Sequence, residues 1–82
     1  MIAGVDVLNQ NSEETVAEFV RDFKVPLITT YKAKGVIPED HPLALGGAGL
    51  SPLADQHLLL LVQKSDLIIL AGYDPIEMRT GW

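Results

Sequence analysis

Residues 64–74 read Lys-Ser-Asp-Leu-Ile-Ile-Leu-Ala-Gly-Tyr-Asp, and this stretch decides the fold class. Asp66 leads into a run of apolar residues from Leu67 to Ala71 without polar alternation. This pattern is typical of a parallel strand covered on both faces. The stretch therefore predicts a central strand that ends at Gly72. Residues beyond its carboxyl end would lie where open α/β sheets bind their ligands.

The first half of the chain predicts a strand, a helix and a second strand. Residues 1–5 look like the end of a strand, and the chain starts abruptly, as if inside a domain. Asn11 or Ser12 can cap the helix, and Asn11 with Glu14 has the spacing of a capping box. One apolar stripe then follows the helical period. It consists of Val16, Phe19, Val20 and Phe23.

The second half begins with strand 25–30, which is followed by a long irregular passage at 31–50 with room for a short strand at 43–45. Ser51 and Pro52 are a strong helix start, and the helix should run to about Gln63. Its apolar residues at 58–62 nearly encircle it, which predicts cover on more than one side. Residues 74–82 show no clear element, and Trp82 ends the chain without an evident closing helix or strand.

This order of elements predicts an α/β chain, a Rossmann-like three-layer fragment with a small parallel sheet. The main strands should lie in the order second, first, third. At 82 residues the chain is one domain at most, and it buries only about 60 to 65 % of its unfolded surface. Its free energy of unfolding should therefore be small.

Composition excludes several classes of function. A net charge of −5 with six Lys and Arg argues against nucleic acid and anionic membranes as partners. The absence of cysteine excludes disulfides and thiolate metal sites, and it favours a cytoplasmic protein. Residues 58–62, the longest apolar run of the second predicted helix, are too short to span a bilayer, and no targeting signal follows Met1.

Three segments should meet at the carboxyl edge of the sheet, namely 29–35, 45–49 and 71–75. They read Thr-Thr-Tyr-Lys-Ala-Lys-Gly, Leu-Gly-Gly-Ala-Gly and Ala-Gly-Tyr-Asp-Pro. Between the first two, residues 33–42 read Ala-Lys-Gly-Val-Ile-Pro-Glu-Asp-His-Pro. In the order and the residue sequences of these segments, the chain resembles the central domain of thiamine-diphosphate-dependent enzymes of the acetolactate synthase and pyruvate oxidase superfamily. The family loop reads Gly-Lys-Gly-x-x-Pro-Glu-x-His-Pro, so Ala33 replaces its first glycine.

The resemblance extends over residues 2–81 and is strongest to flavin-independent acetolactate synthases and their relatives. It implies that residues 1–82 are a truncated central domain, a scaffold without catalytic residues or metal ligands of its own. The parent would be a transferase or lyase acting on 2-oxoacids, and a homo-oligomer. Its thiamine diphosphate and Mg²⁺ would lie between two other domains, one carrying an activating glutamate and the other a Gly-Asp-Gly to Asn-Asn run, and both are missing here.

Besides the scaffold role, the resemblance implies a nucleotide-binding site, because some members of the family bind FAD or ADP at this edge of the sheet. Flavin-containing members commonly carry an arginine where Asp74 stands, and a carboxylate beside a phosphate is unfavourable. The candidate binding residues are Gly4, Thr30, Tyr31, Lys32, Gly46, Gly47, Gly49, Gly72, Tyr73 and Asp74. Gly46, Gly47 and Gly49 can either cradle a phosphate ahead of the helix or simply form tight turns.

Two other functions stay open at this point. The chain can be a free-standing module that binds ADP, FAD or NAD, or an interaction piece that folds only on assembly. His41 and His57 have no second His or Cys ligand, so neither is favoured as a metal ligand or a base. Asp74 and Glu77 are the acidic pair near the predicted edge, where they can contact a ligand or another domain.

Overall fold

The computed structural model of the protein describes residues 1–38, 40–49 and 51–78. The described residues form four strands, three α-helices and two short 3₁₀ turns. The strands are β1 (Ile2–Ala3), β2 (Leu27–Thr30), β3 (Ala44–Ala48) and β4 (Leu70–Ala71). The helices are α1 (Asp6–Asn9), α2 (Glu13–Phe23) and α3 (Pro52–Lys64), and the 3₁₀ turns are Tyr31–Ala33 and Pro75–Glu77.

The strands form one parallel sheet in the order β3-β2-β1-β4. In β1, Ile2 is opposite Ile28 on one side and Leu70 on the other. The predicted Rossmann-like α/β class is confirmed, and so is the order second, first, third for the main strands. The additional strand β3 lies outside β2, where it extends the sheet at the opposite edge from β4.

The sheet separates two apolar cores, which follow from the alternation of side chains along its strands. Ala3 and Leu27 point to the face covered by α1 and α2, where they pack with Val7, Val16, Ala17 and Val20. Ile2 and Ile28 point to the opposite face, where they pack with Ala48 and with Leu58 of α3. The three-layer arrangement thus places all four strands in parallel between helices, as a βαβ chain requires.

The role predicted for residues 67–71 as a central, doubly covered strand is wrong. Only Leu70 and Ala71 form a strand, and it lies at the edge of the sheet. Leu67 is 77 % exposed and Leu70 is 56 % exposed. The apolar run indicated correctly that a parallel strand forms here, but it is limited to Leu70 and Ala71, and among the described residues nothing pairs with the outer side of β4.

Four further details differ from the sequence prediction. Ser12 precedes α2 without a side-chain cap and Asn11 has a φ of 53°, so the capping box at Asn11 and Glu14 does not form. Phe23 is 69 % exposed and therefore falls outside the apolar stripe of α2. The strand expected at 43–45 extends over Ala44–Ala48, and α1 was not predicted at all.

Helix α3 agrees with the helix predicted from Ser51 to about Gln63. Within the described residues no helix has the length and the apolar content needed to cross a membrane. Predictions that fall on Glu39 of the family-like loop, on Leu50, and on residues 79–82 including Trp82 lie outside the described residues.

Candidate functional site

Three strand ends meet at the carboxyl edge of the sheet, as parallel strands must. Gly4 follows β1, Thr30 ends β2 and Gly72 follows β4. The backbone N–H of Gly4 donates to the carbonyl of Ala71 over 2.8 Å, and that of Asp6 donates to Gly72 over 3.2 Å. The structure therefore brings the first and third predicted segments together with the end of β1.

The backbone at Gly4 lies too close to its neighbours for any side chain. A Cβ added there would overlap the carbonyl oxygen of Gly72 and lie 2.6 Å from both Tyr73 Cα and Glu77 Oε2. Gly72 has a φ of +59°, which favours glycine, and a Cβ on it would lie 2.6 Å from the backbone nitrogen of Val7. Both glycines are thus required for the close packing of this edge.

The carboxylate of Glu77 lies at the centre of the edge. Its Oε1 accepts hydrogen bonds from the backbone N–H of Val5 over 2.9 Å and from Thr30 Oγ1 over 2.6 Å. Its Oε2 accepts a third from the backbone N–H of Asp74 over 3.1 Å. One side chain therefore ties together the segments that follow β1, β2 and β4, in the crevice where a nucleotide site was predicted.

The 3₁₀ turn Pro75–Glu77 holds this carboxylate in place. Asp74 Oδ1 accepts from the backbone N–H of Ile76 over 3.1 Å while Glu77 reaches back to Asp74, which together make a capping box. Pro75 suits the first position of such a turn because its φ is fixed. The spacing Asp-Pro-x-Glu was the sequence signal for this turn, and it was missed.

A second carboxylate accepts a hydrogen bond from the segment that follows β3. Asp55, in the first turn of α3, is fully buried, and its Oδ1 accepts from the backbone N–H of Gly49 over 3.0 Å. Gly49 is one residue beyond β3, and a Cβ on it would overlap Met78 Sδ. Sequence reasoning missed Asp55, because an acidic residue in a first helical turn is ordinary as a helix-dipole partner.

The other predicted residues lie around this centre in different ways. Gly46 and Gly47 belong to β3, the strand that precedes α3, and are opposite Ile28 and Thr29, so they are part of a strand and do not form tight turns. Tyr31 and Lys32 form the 3₁₀ turn after β2. A Cβ on Gly47 would lie 3.1 Å from both Tyr31 and Lys34, and Lys34 Nζ lies 5.6 Å from the centre of the Tyr31 ring. Whether any of the ten candidate residues binds a nucleotide stays a prediction.

Neither histidine forms a metal site with other described residues. Among these residues no group of three or more His, Asp or Glu side chains could hold a metal ion. His41 Nδ1 accepts from the backbone N–H of Leu43 over 3.1 Å, which is a local turn contact, and His57 is exposed on α3.

An apolar groove of about 240 Å³ lies at the other end of the sheet, beside the amino ends of the strands and the last turns of α3. It is lined by Met1, Ile2, Val25, Pro26, Ile28, Leu45, Leu61, Val62, Ser65, Leu67 and Ile68. This groove therefore lies away from the predicted nucleotide edge, and its walls are almost wholly apolar.

Known proteins similar to this chain agree on one family. The chain is 40 % identical over 81 residues to a probable acetolactate synthase large subunit from Methanocaldococcus jannaschii, and 35 % identical over 81 residues to one from Methanococcus aeolicus. Each match covers 99 % of this chain and 13 % of the relative. Human 2-hydroxyacyl-CoA lyase 1 is 31 % identical over 72 residues, which are 88 % of this chain and 11 % of that protein.

No solved structure is significantly similar to the chain. The family model that describes the central domain of thiamine pyrophosphate enzymes matches residues 1–82. This match covers the whole chain, and the two archaeal relatives are probable acetolactate synthase large subunits. The chain therefore belongs to the central-domain family of thiamine pyrophosphate enzymes and is related to acetolactate synthase.

Proposed function

We propose that the chain serves as a structural scaffold in a thiamine-diphosphate enzyme of the acetolactate synthase type and carries no catalytic group itself. The chain spans about an eighth of the length of the acetolactate synthase relatives it matches, since it covers 13 % of each. In this proposal, the catalytic groups lie in two other domains of a parent polypeptide. Residues 1–82 hold these domains in place.

The observation that carries the proposal is an exposed apolar surface on the α3 side of the sheet. Leu61 of α3 is 47 % exposed, and Leu67 and Ile68 before β4 are 77 % and 45 % exposed. The same three residues line the apolar groove. A contiguous surface of this kind is typical of contact with another protein surface. We define residues 61, 67 and 68 as the apolar face and propose that a neighbouring domain covers it.

The cofactors and setting of the parent are part of the same proposal. The relatives are named as acetolactate synthases and as an acyl-CoA lyase, which supports thiamine diphosphate with Mg²⁺ and a reaction that decarboxylates or joins 2-oxoacids. In keeping with the scaffold role, we assign no catalytic step to residues 1–82. We further propose a homo-oligomer in the cytoplasm.

The experiment changes the apolar face in the full polypeptide that carries residues 1–82. In the double variant Leu61→Lys and Leu67→Lys, a covered face would have to bury two unpaired charges, which costs several kcal/mol. We expect a loss of assembly in sedimentation and a loss of thiamine-dependent turnover of roughly tenfold or more, since tenfold corresponds to about 1.4 kcal/mol.

The matched control adds the same two charges at exposed polar positions of α3, in the double variant Gln56→Lys and Gln63→Lys. This control should assemble and turn over substrate as the unmodified protein does. Equal activity and assembly of the Leu and Gln variants would contradict the scaffold proposal, because the apolar face would then be free in the working enzyme.

A nucleotide-binding module for ADP, FAD or NAD is the second candidate. The parallel sheet with its glycine-bearing carboxyl edge supports it, because ligands of open α/β folds bind at such edges. The position of Glu77 in that edge makes it the weaker candidate. Calorimetric titration of the purified protein with each nucleotide separates the two, since micromolar binding would favour the module.

A further inference from the structure

We propose that the carboxyl edge contains an oxyanion site that Glu77 fills from within the chain, and that it accepts inorganic phosphate once this carboxylate is removed. This anion-binding property is separate from the scaffold role, since it belongs to the carboxyl edge and not to the activity of the parent.

The donors around Glu77 form the kind of set that binds phosphate elsewhere. Two backbone N–H groups, of Val5 and Asp74, and the hydroxyl of Thr30 converge on one carboxylate from three separate segments. Convergent backbone N–H groups in turns bind anions, and a hydroxyl adds a further donor. Thr30 is fully buried, so its hydroxyl is held in place by the fold.

The backbone also approaches the bound carboxylate closely, as it does around phosphates. A Cβ on Gly4 would lie 2.6 Å from Glu77 Oε2, so only a glycine leaves room for an anion here. The site is therefore shaped by the fold around a negatively charged group with two oxygens. Replacing Glu77 by a smaller residue would leave both the donors and the space for it.

In the unmodified protein the same groups should exclude an external phosphate. The three donors are occupied, and an incoming anion would meet the Glu77 charge at short range. Asp74 adds a carboxylate next to the turn, where its Oδ1 accepts from Ile76. After the neighbouring strand β3, the N–H of Gly49 is likewise bonded to a carboxylate of the chain, that of Asp55. The chain thus supplies its own carboxylates where a nucleotide would bring phosphates.

The test measures inorganic phosphate binding by calorimetry in the full polypeptide that carries residues 1–82. Glu77→Ala should bind phosphate with a dissociation constant on the order of millimolar, and the unmodified protein should bind at least roughly tenfold more weakly. Glu18→Ala, which removes an exposed carboxylate from α2, should behave like the unmodified protein. Adding Thr30→Val to Glu77→Ala should abolish the gained binding.

Thermal unfolding provides a second measurement, since Glu77→Ala can lower stability. Phosphate should raise the melting temperature of Glu77→Ala, or restore its circular dichroism if it is unfolded, by more than it does for the unmodified protein or for the double variant with Thr30→Val. Phosphate binding by the unmodified protein as strong as that of Glu77→Ala would overturn the proposal. So would a Glu77→Ala variant that gains neither binding nor stability. Phosphate binding and thermal unfolding are both measured without turnover, so a failure of this proposal can be distinguished from a failure of the scaffold proposal.

Discussion

At the scale of residues, the carboxyl edge depends on a few polar side chains whose partners are distant in sequence. Glu77 bonds Val5 across 72 positions and Thr30 across 47 positions. The sequence could predict that Thr30 and Gly72 end neighbouring strands, because strand ends are local signals. It could not predict which side chain fills the crevice, because that depends on how a turn after β4 folds back over β1.

Replacing Gly4 by alanine tests the close packing of the edge. The added methyl group would overlap the Gly72 carbonyl and press on Tyr73 and Glu77. Overpacking of this kind costs about 1 to 3 kcal/mol, so urea denaturation should show a free energy of unfolding lowered by that amount. Thr15→Ala on the exposed side of α2 serves as the control and should be nearly neutral. A Gly4→Ala variant as stable as the control would show that the strand ends are further apart.

Asp55 allows a matched pair of substitutions. Asp55→Ala leaves the buried N–H of Gly49 without its acceptor, which costs about 1 to 3 kcal/mol. Asp55→Asn keeps an acceptor oxygen of the same shape and should lose less. The free energy of unfolding of the two variants, measured by denaturant titration, should differ in that order. Equal losses would mean that the carboxylate charge, rather than the bond to Gly49, determines the effect.

At the scale of elements, the periodicity of apolar residues predicted most of the helices and strands that the chain forms. Helices α2 and α3 and strand β2 follow from local apolar spacing and from Ser51 with Pro52. The predicted order second, first, third already placed β4 beside β1 at one end of the main strands, whereas its apolar run predicted cover on both faces. That second prediction failed because an uninterrupted apolar run indicates low polarity and not which other elements of the chain lie against the strand. The predicted length of strand β3 was too short, because Gly46 and Gly47 favour turns in general. Pairing with β2 holds them in an extended conformation here.

One helix provides the test at this scale. Val20 is fully buried in α2 and Phe23 is 69 % exposed. Val20→Ala removes two buried methyl groups and should lower the free energy of unfolding by about 1 to 3 kcal/mol. Phe23→Ala removes only the contact of its exposed ring with the Phe19 ring, whose centroids are 4.9 Å apart, and should cost about 0.5 to 1 kcal/mol, less than Val20→Ala. Denaturation curves with the reverse order would mean that α2 packs on the sheet with a different face.

At the scale of the whole molecule, the chain combines a small core with several large apolar side chains that are exposed at the surface. Further leucines outside the apolar face, Leu53 and Leu60, are also largely exposed on α3. The nearly encircling apolar pattern of α3 was visible in the sequence, and the sheet covers one side of it, through Leu58. The scaffold proposal assigns the cover of the other side to a neighbouring domain, whose position no residue of this chain could predict.

The exposed apolar surface should be measurable on the isolated 82-residue chain. We expect the chain to bind a fluorescent apolar dye and to associate as its concentration rises, because such surfaces promote association. The variant with Leu61→Lys and Leu67→Lys should bind less dye and sediment as a smaller species. Its control, with Gln56→Lys and Gln63→Lys, should resemble the unmodified chain. Dye binding unchanged by the Leu substitutions would place the apolar surface elsewhere.

The central claim, that this chain supports chemistry without performing it, is tested most directly by a transplant. Residues 1–82 replace the matching 81-residue segment of the Methanocaldococcus jannaschii relative, to which they are 40 % identical. The measurement is the rate of acetolactate formation by the assembled chimera. We predict a rate within about tenfold of the recipient enzyme, equivalent to about 1.4 kcal/mol, with its substrate preference unchanged. An assembled chimera that is inactive, or whose substrate preference changes with the transplanted segment, would contradict the claim.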